Sequence, residues 1–203
     1  MPHNLTIPMS DSADSITLED VTPTVLPDAF LDSTCVREAS RFRMPSFDEL
    51  PELPLYREQV IAYVESVLSP LNQGIDGSWL TSSMINNYVK TGLLAPPVKK
   101  MYTREHIGRL LVICVFKQVL SISAIQQLLR IQKMTYPDMI AYDYTAREIT
   151  QSVQGMFCEM PHSNADSAQY VTRESLLIRS TAIAFASKMF LMHYLSYSGM
   201  PVG

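Results

Sequence analysis

The stretch that decides the fold runs from Thr81 to Lys133 and reads TSSMINNYVKTGLLAPPVKKMYTREHIGRLLVICVFKQVLSISAIQQLLRIQK. It contains eight basic residues and one acidic residue, Glu105, so it carries a formal charge of +7. Residues 1–78 carry −9 and residues 134–203 carry −2, which leaves the whole chain at −4. A basic segment between two acidic ones predicts an anionic partner for the middle of the chain.

Capping signals divide this stretch into three predicted helices. Ser82 and Ser83 are suitable N-caps for the first helix, because a hydroxyl can accept a hydrogen bond from an orphan backbone amide. Gly92 is expected to end it, since glycine adopts a positive φ without a Cβ penalty. The second helix is predicted to begin after Thr103 and the third after Ser121, each with an apolar face.

The first helix has a polar face, and the loop after it is basic. This pattern is typical of a helix-turn-helix unit with a wing. Asparagine and lysine can reach base edges and phosphates in a major groove about 12 Å wide, and loop lysines add phosphate contacts. We therefore predict that duplex DNA is contacted by Ser82, Ser83, Asn86, Asn87, Lys90, Lys99, Lys100, Tyr102 and Arg104.

The order of the motifs is similar to that of known families. The chain resembles the MerR-type winged helix-turn-helix in four motifs, which are Tyr88–x–x–x–Gly92–Leu93–Leu94, Pro96, Tyr102–Thr103 and Ser121–Ile122–x–x–Ile125–x–x–Leu128–Leu129. The chain also resembles the bacterial family called domain of unknown function 1836, in the motifs LPELPLYREQV, MINNYVK, the PxxK run at Pro97–Lys100, Tyr102–x–x–x–His106–Ile107 and KQVLSIS. The similarity covers roughly residues 42–133 and implies a DNA-binding regulator.

The chain departs from the MerR pattern in three places. Asn86 and Asn87 stand where that pattern has an arginine and an aromatic residue, the loop Ala95–Met101 is short, and residues 69–78 are long for a turn. We therefore expect an all-α fold with a modified MerR-like winged helix-turn-helix core, a small wing that contains a short hairpin, and a helical C-terminal region.

Three regions are predicted along the chain. Residues 1–40 contain several prolines and acidic side chains, and we expect an acidic, extended or partly disordered arm. Residues 41–133 form the predicted DNA-binding region, which begins with a helix from Leu55 to about Leu68. Residues 134–203 form a helical C-terminal region for dimerisation or effector binding. Its predicted helices run from Asp138 to about Gln154 and from Asp166 to about Tyr197.

Composition limits the remaining function classes. Apolar residues make up 47% of the chain and charged residues 18%, which favours a homodimer that covers apolar surface. The predicted C-terminal helix is interrupted by Arg179, Lys188 and His193, so we expect no membrane span. The three cysteines form no CxxC pair, which indicates a reducing cytoplasm and no disulfide framework. Catalytic, cofactor and metal motifs are absent from the sequence, so an enzyme is not expected.

The sequence thus predicts a cytoplasmic, homodimeric regulator that binds duplex DNA, and it leaves open an unidentified small-molecule effector, since the Met and aromatic residues of the C-terminal region favour core packing or a dimer interface over an effector site. Two alternatives stay open. One is an adaptor that binds another protein through the same basic face, with the basic residues paired to the acidic arm. The other is a ligand-binding helical protein with a pocket among Tyr142, His162 and His193.

Overall fold

The computed structural model describes residues 26–73, 77–158 and 171–198. These residues form a mostly helical fold with one two-stranded antiparallel sheet, which confirms the predicted all-α class at this level. The α-helices are α1 (Asp28–Leu31), α2 (Thr34–Ser40), α3 (Arg57–Leu68), α4 (Ser82–Lys90), α5 (Arg104–Phe116), α6 (Ile122–Thr135), α7 (Asp138–Cys158) and α8 (Arg173–Tyr197). The strands are β1 (Leu55–Tyr56) and β2 (Met101–Tyr102), and 3-10 turns lie at Phe47–Glu49 and Ser69–Leu71.

Most predicted helix ends agree with the structure. Thr103 and Ser121 are the N-caps of α5 and α6, and Gly92 has a φ of +73° just after α4. The cap of α4 differs by one residue from the prediction. Thr81 takes this role, and its hydroxyl accepts a hydrogen bond from the amide of Met84 at 3.2 Å.

The two C-terminal helices differ from the prediction at their ends. Helix α7 continues through Gly155 to Cys158, because Gly155 is buried in the helix packing and does not act as a break. Helix α8 begins at Arg173 behind the N-cap Thr172, while its predicted start at Asp166 lies outside the described residues.

The predicted N-terminal arm differs from the structure wherever the structure describes it. Residues 28–40 are mainly helical and not extended, because their apolar side chains have a surface to pack on. Phe30 is fully buried and contacts the rings of Phe190, Tyr194 and Tyr197 at 5.2–5.8 Å between centroids. Residues 1–25 of the predicted arm lie outside the described residues.

One hydrophobic core joins the described parts of the chain. Its buried residues run from Phe30 to Met189, and every residue of α5 from Leu110 to Phe116 belongs to it. Helix α5 therefore lies within the core, where α3, α7 and α8 pack against it. The division at residues 40 and 133 stays a prediction.

Helix α8 is long and apolar enough to cross a membrane by length and composition alone. The mean hydropathy of its most apolar window is 1.3, and 39% of that window is buried inside the fold. It packs along α7, and its His193 is fully buried against Phe157. Core helices of soluble proteins have the same length and composition, so these two properties do not distinguish a membrane span from a core helix.

Candidate nucleic-acid interface

A small sheet and turn precede helix α5. Leu55 pairs with Tyr102 and Tyr56 with Met101, so the residues before α3 are joined to the residues before α5. The sequence predicted a helix from Leu55, but the first two residues are a strand. Their partners lie more than forty positions away, and no local pattern indicates such a pairing.

Lys99 and Lys100 form the tip of the turn that leads into β2. Met101 donates its amide to the carbonyl of Val98 at 2.9 Å, and Val98 donates back at 3.0 Å. The φ angles of Lys99 and Lys100 are +50° and +68°, as in a type I′ hairpin turn, where glycine and asparagine are preferred. Both ammonium groups are exposed. The turn thus presents two adjacent positive charges on a fixed backbone.

The segment before α4 is fixed to the core through Trp79. Its indole nitrogen donates to the Asn72 side chain at 2.6 Å, and its carbonyl accepts from the Lys117 ammonium at 2.5 Å. The next amide, of Leu80, donates to Glu65 at 3.0 Å. These bonds orient the start of α4 relative to α3 and α5.

Helix α4 buries one side and exposes the other. Ile85 and Tyr88 face the core, and burial raises the pKa of Tyr88 to about 12. At its C-terminal end, the Gln126 side chain donates to the carbonyl of Thr91 at 2.6 Å. The exposed side carries only polar residues, which are Ser83, Asn86, Asn87 and Lys90.

Six of the nine predicted contact residues are exposed, on α4 and at the turn tip. They are Ser83, Asn86, Asn87, Lys90, Lys99 and Lys100. In the described part of the chain, the side chains of these two asparagines and three lysines make no hydrogen bond or ion pair. They are therefore available to an external partner. We call this set the α4–turn surface.

The other three predicted contacts do not belong to that surface. Ser82 is half-buried at the start of α4. Tyr102 is only 1% exposed and packs edge-on against His106, so its prediction as a DNA contact is corrected to a core role. Arg104 stacks over Phe47 at 5.7 Å, and its guanidinium lies 3.7 Å from the Asp48 carboxylate.

Sequence reasoning missed a second basic surface on α6. Arg130 and Lys133 are exposed and, with Arg109, border an open groove of about 610 Å³ between α6 and Gly92 at the end of α4. Polar residues at helical spacing would have indicated it, since Ser123, Gln127 and Arg130 share a side of α6. The groove widens the basic area next to α4.

Glu105, the acid of the basic segment, remains charged at the start of α5. The Thr103 hydroxyl donates to its carboxylate at 2.5 Å and lowers the pKa of Glu105.

No group of three or more histidine, cysteine, aspartate or glutamate residues with metal-site geometry occurs among the residues that the structure describes. Of the residues in the alternative pocket, Tyr142 and His193 lie in different helices, and His162 is outside the described residues.

Comparison with known proteins gives one match. The family model described as "Domain of unknown function (DUF1836)" matches residues 45–149, which is more than half of the chain. The match confirms the resemblance to the domain of unknown function 1836 and extends it into α7. No curated protein and no solved structure matches the chain.

Proposed function

The chain belongs to the DUF1836 family, and we propose that it is a transcriptional regulator that binds specific sites in duplex DNA. The observation that carries the proposal is the α4–turn surface. It combines two asparagines, which suit bidentate adenine contacts, with three lysines that have no partner among the described residues. The polar face of α4 and the basic turn tip are the two kinds of element through which a winged helix-turn-helix protein contacts DNA.

The order of elements supports a MerR-like winged helix-turn-helix. Helices α3 and α4 correspond to the two helices of the reader, the turn at Lys99–Lys100 to the wing, and α5 and α6 to the helices that follow. The pairing of β1 with β2 fixes the wing to the start of α3. In this arrangement α4 enters the major groove, and the turn contacts a neighbouring phosphate.

A homodimer is part of the proposal, and the exposed side of α8 supports it. Leu176, Ile183 and Leu191 are 54%, 42% and 53% exposed. With Ser180, Ala184 and Ser187, they form an uncharged stripe that is symmetric about the midpoint between residues 183 and 184. Two copies in antiparallel orientation would place Leu176 against Leu191 and Ile183 against Ala184. Such self-complementarity is what a two-fold interface requires.

A cytoplasmic location is part of the same proposal, since a DNA-binding regulator acts in the compartment that holds its DNA. A small-molecule effector is also part of it, as for many regulators that must respond to a signal. Neither catalysis nor a cofactor is needed for this function.

The test is fluorescence anisotropy with labelled fragments from the promoter region of the protein's own gene, together with a salt titration. We expect a site-selective complex whose log K falls steeply with log salt. Lys99→Ala with Lys100→Ala should weaken binding and reduce the salt slope by about two, because about one counterion is released per phosphate contact. An unchanged slope would remove the turn from the interface, and absence of binding at low salt would overturn the proposal.

The second candidate is a protein-interaction adaptor. The ion pair between Arg104 and Asp48 shows that one residue of the basic segment pairs with an acid of the same chain, although Asp48 lies outside the predicted acidic arm of residues 1–40. A folded dimer that fails to bind any DNA fragment at low salt would favour this function.

A further inference from the structure

A cavity lies between α5, α6 and α7. Its volume is about 140 Å³, it is partly open to solvent, and Leu94 and Ala95 of the loop after α4 also line it. Leu94, Val112 and Leu129 provide an apolar wall. A cavity of roughly 150 Å³ in another protein accommodates benzene, so this one has room for a six-membered ring.

Arg109 lines this cavity, as do the charged residues Glu105, Lys133 and Asp138. The side chain of Arg109 is half-buried, and it forms no hydrogen bond or ion pair with any described residue. Burial lowers the pKa of Arg109, and attraction to Asp138 offsets part of this effect. Removing a guanidinium from water without pairing it is unfavourable, and its planar fork fits a carboxylate.

Gln132 adds a fixed acceptor at the same place. It is 6% exposed, and its amide nitrogen donates to the carbonyl of Ala141 and to the hydroxyl of Thr145, each at 3.0 Å. These two bonds fix the orientation of the amide. Its oxygen accepts no hydrogen bond from the described residues, so a donor on an occupant could bind there.

His106 is a further unpaired polar group beside the cavity. Its Nδ1 accepts the amide of Thr103 at 3.1 Å, which leaves the proton of the neutral ring on Nε2. Nε2 is buried and has no partner in the described part of the chain. Two side chains that are at least nine-tenths buried, Gln132 and His106, thus leave a polar atom unpaired at one cavity.

We propose that this cavity binds a small aromatic or alicyclic carboxylate that carries a hydroxyl or amino group. The carboxylate pairs with Arg109, the ring packs on the wall formed by Val112 and Leu129, and the hydroxyl or amino group donates to Gln132. The apolar wall selects an organic acid over inorganic phosphate, since phosphate would gain nothing from it.

The position of the cavity gives the ligand a regulatory role, a consequence that rests on the proposed function. Leu94 and Ala95 line the cavity and lie a few residues before Lys99 and Lys100. An occupant that braces this segment also holds the turn tip, and an occupied cavity should therefore favour one placement of the wing lysines. A differential affinity of the ligand for that placement changes the affinity for DNA.

Calorimetric titration of the whole chain with three probes tests the site. 3-Hydroxybenzoate has the ring, the charge and the donor, benzoate lacks the donor, and 3-hydroxybenzamide lacks the charge. We expect the affinities to fall in that order, with 3-hydroxybenzamide at least tenfold weaker than 3-hydroxybenzoate. Inorganic phosphate should not compete. Equal affinity for the charged and neutral probes, or no binding of 3-hydroxybenzoate, would overturn the proposal.

Variants separate this cavity from general anion attraction. Arg109→Gln should lose 3-hydroxybenzoate binding, whereas Arg130→Gln, an exposed arginine on α6, should keep it. Ala95→Trp places a large side chain at the mouth from an exposed loop position and should also prevent binding, even if Arg109→Gln fails to fold. Unchanged binding in folded Arg109→Gln or in Ala95→Trp would contradict the assignment.

The effector role is tested separately by repeating the DNA titration with saturating 3-hydroxybenzoate. A shift of the DNA affinity by fivefold or more, absent in Ala95→Trp, is expected. An unchanged DNA affinity would overturn the regulatory role, although the carboxylate site would stand on its own titration. Carboxylate binding by a chain that binds no DNA would likewise support the site and remove the proposed function.

Discussion

His193 is a fully buried titratable side chain on α8. Its Nδ1 donates to the carbonyl of Met189 at 2.8 Å, and its ring lies edge-on to Phe157 at 5.0 Å. Burial lowers the pKa of His193 below its ordinary 6.5, and the bond to Met189 offsets only part of this. The folded chain therefore holds this imidazole neutral under conditions where the unfolded chain protonates it.

The first prediction concerns stability below neutral pH. The contribution of His193 should be fully present above pH 6.5 and should decrease as pH falls, because the unfolded state then binds the additional proton. Between pH 6.5 and 5.5, one such histidine lowers the free energy of unfolding by at most about 1.4 kcal/mol. Urea unfolding at pH 7.5 and 5.5 measures the effect, and His193→Leu should reduce it.

Glu49→Gln is the matched control for this experiment. Hydrogen bonds from Arg43 and Ser46 lower the pKa of Glu49 to about 2, so its contribution changes only below its ordinary pKa of 4.5. This variant should leave the difference between pH 7.5 and 5.5 unchanged. If His193→Leu had the same difference as the wild type, the acid sensitivity would have another origin.

Single residues show where sequence reasoning stops. Tyr102 is of a residue type that can contact DNA, but β2 directs its side chain inward to His106. Lys117 appears in the sequence as one more free charge, but its ammonium donates to the Trp79 carbonyl 38 positions away. The sequence predicted the charge of the segment, while long-range packing decided which charges remain free.

At the scale of elements, the turn at Lys99–Lys100 has an unusual composition. Two consecutive lysines with positive φ occupy positions where Asn-Gly is preferred. A left-handed backbone costs a residue with a Cβ about 1–2 kcal/mol. Such a cost persists where function requires the side chains, and here it places two ammonium groups at the tip.

The second prediction is that one variant changes stability and DNA affinity in opposite directions. Lys99→Asn with Lys100→Gly should raise the free energy of unfolding by about 1–2 kcal/mol, since both residues accept a positive φ. The same variant should lose DNA affinity and salt dependence. Thermal unfolding and anisotropy measure the two effects.

Lys99→Ala with Lys100→Ala is the control, because it removes the same charges and keeps the backbone cost. It should lose DNA affinity without any gain in stability. A double alanine variant that gained as much stability as the Asn-Gly variant would point to charge repulsion between the lysines as the cause.

Helix ends were largely predictable, and the pairing of β1 with β2 was not. Ser121, Thr103 and Gly92 act on their own neighbours, so their roles are visible in a short window of sequence. Strand β1 is defined only by its pairing with β2, and the burial of Gly155 depends on packing around α7. For the same reason, the Arg109 cavity could not be predicted, because it is formed by three helices and a loop.

At the scale of the whole molecule, the uncharged stripe on α8 predicts the oligomeric state. Ile183→Glu should convert a dimer into a monomer, because two carboxylates would meet near the two-fold axis without a partner. Light scattering coupled to size-exclusion chromatography measures the mass, and circular dichroism checks that the helices remain.

Leu53→Glu provides the matched control, because Leu53 is 78% exposed and lies before β1. It should leave the dimer intact. A monomeric wild-type chain, or a dimer that persists in folded Ile183→Glu, would remove α8 from the interface. A wild-type chain that sediments with membranes and requires detergent would favour the membrane-spanning alternative for this helix.

The only tryptophan of the chain occupies the junction of its main parts. Trp79 is bonded to Asn72 after α3, accepts from Lys117 after α5, and contacts the ring of Phe185 on α8 at 6.4 Å. Its emission therefore depends on the segment before α4, on α5 and on α8 together. The intrinsic fluorescence of Trp79 therefore reports whether these parts of the molecule remain assembled, and no dye has to be attached to measure it.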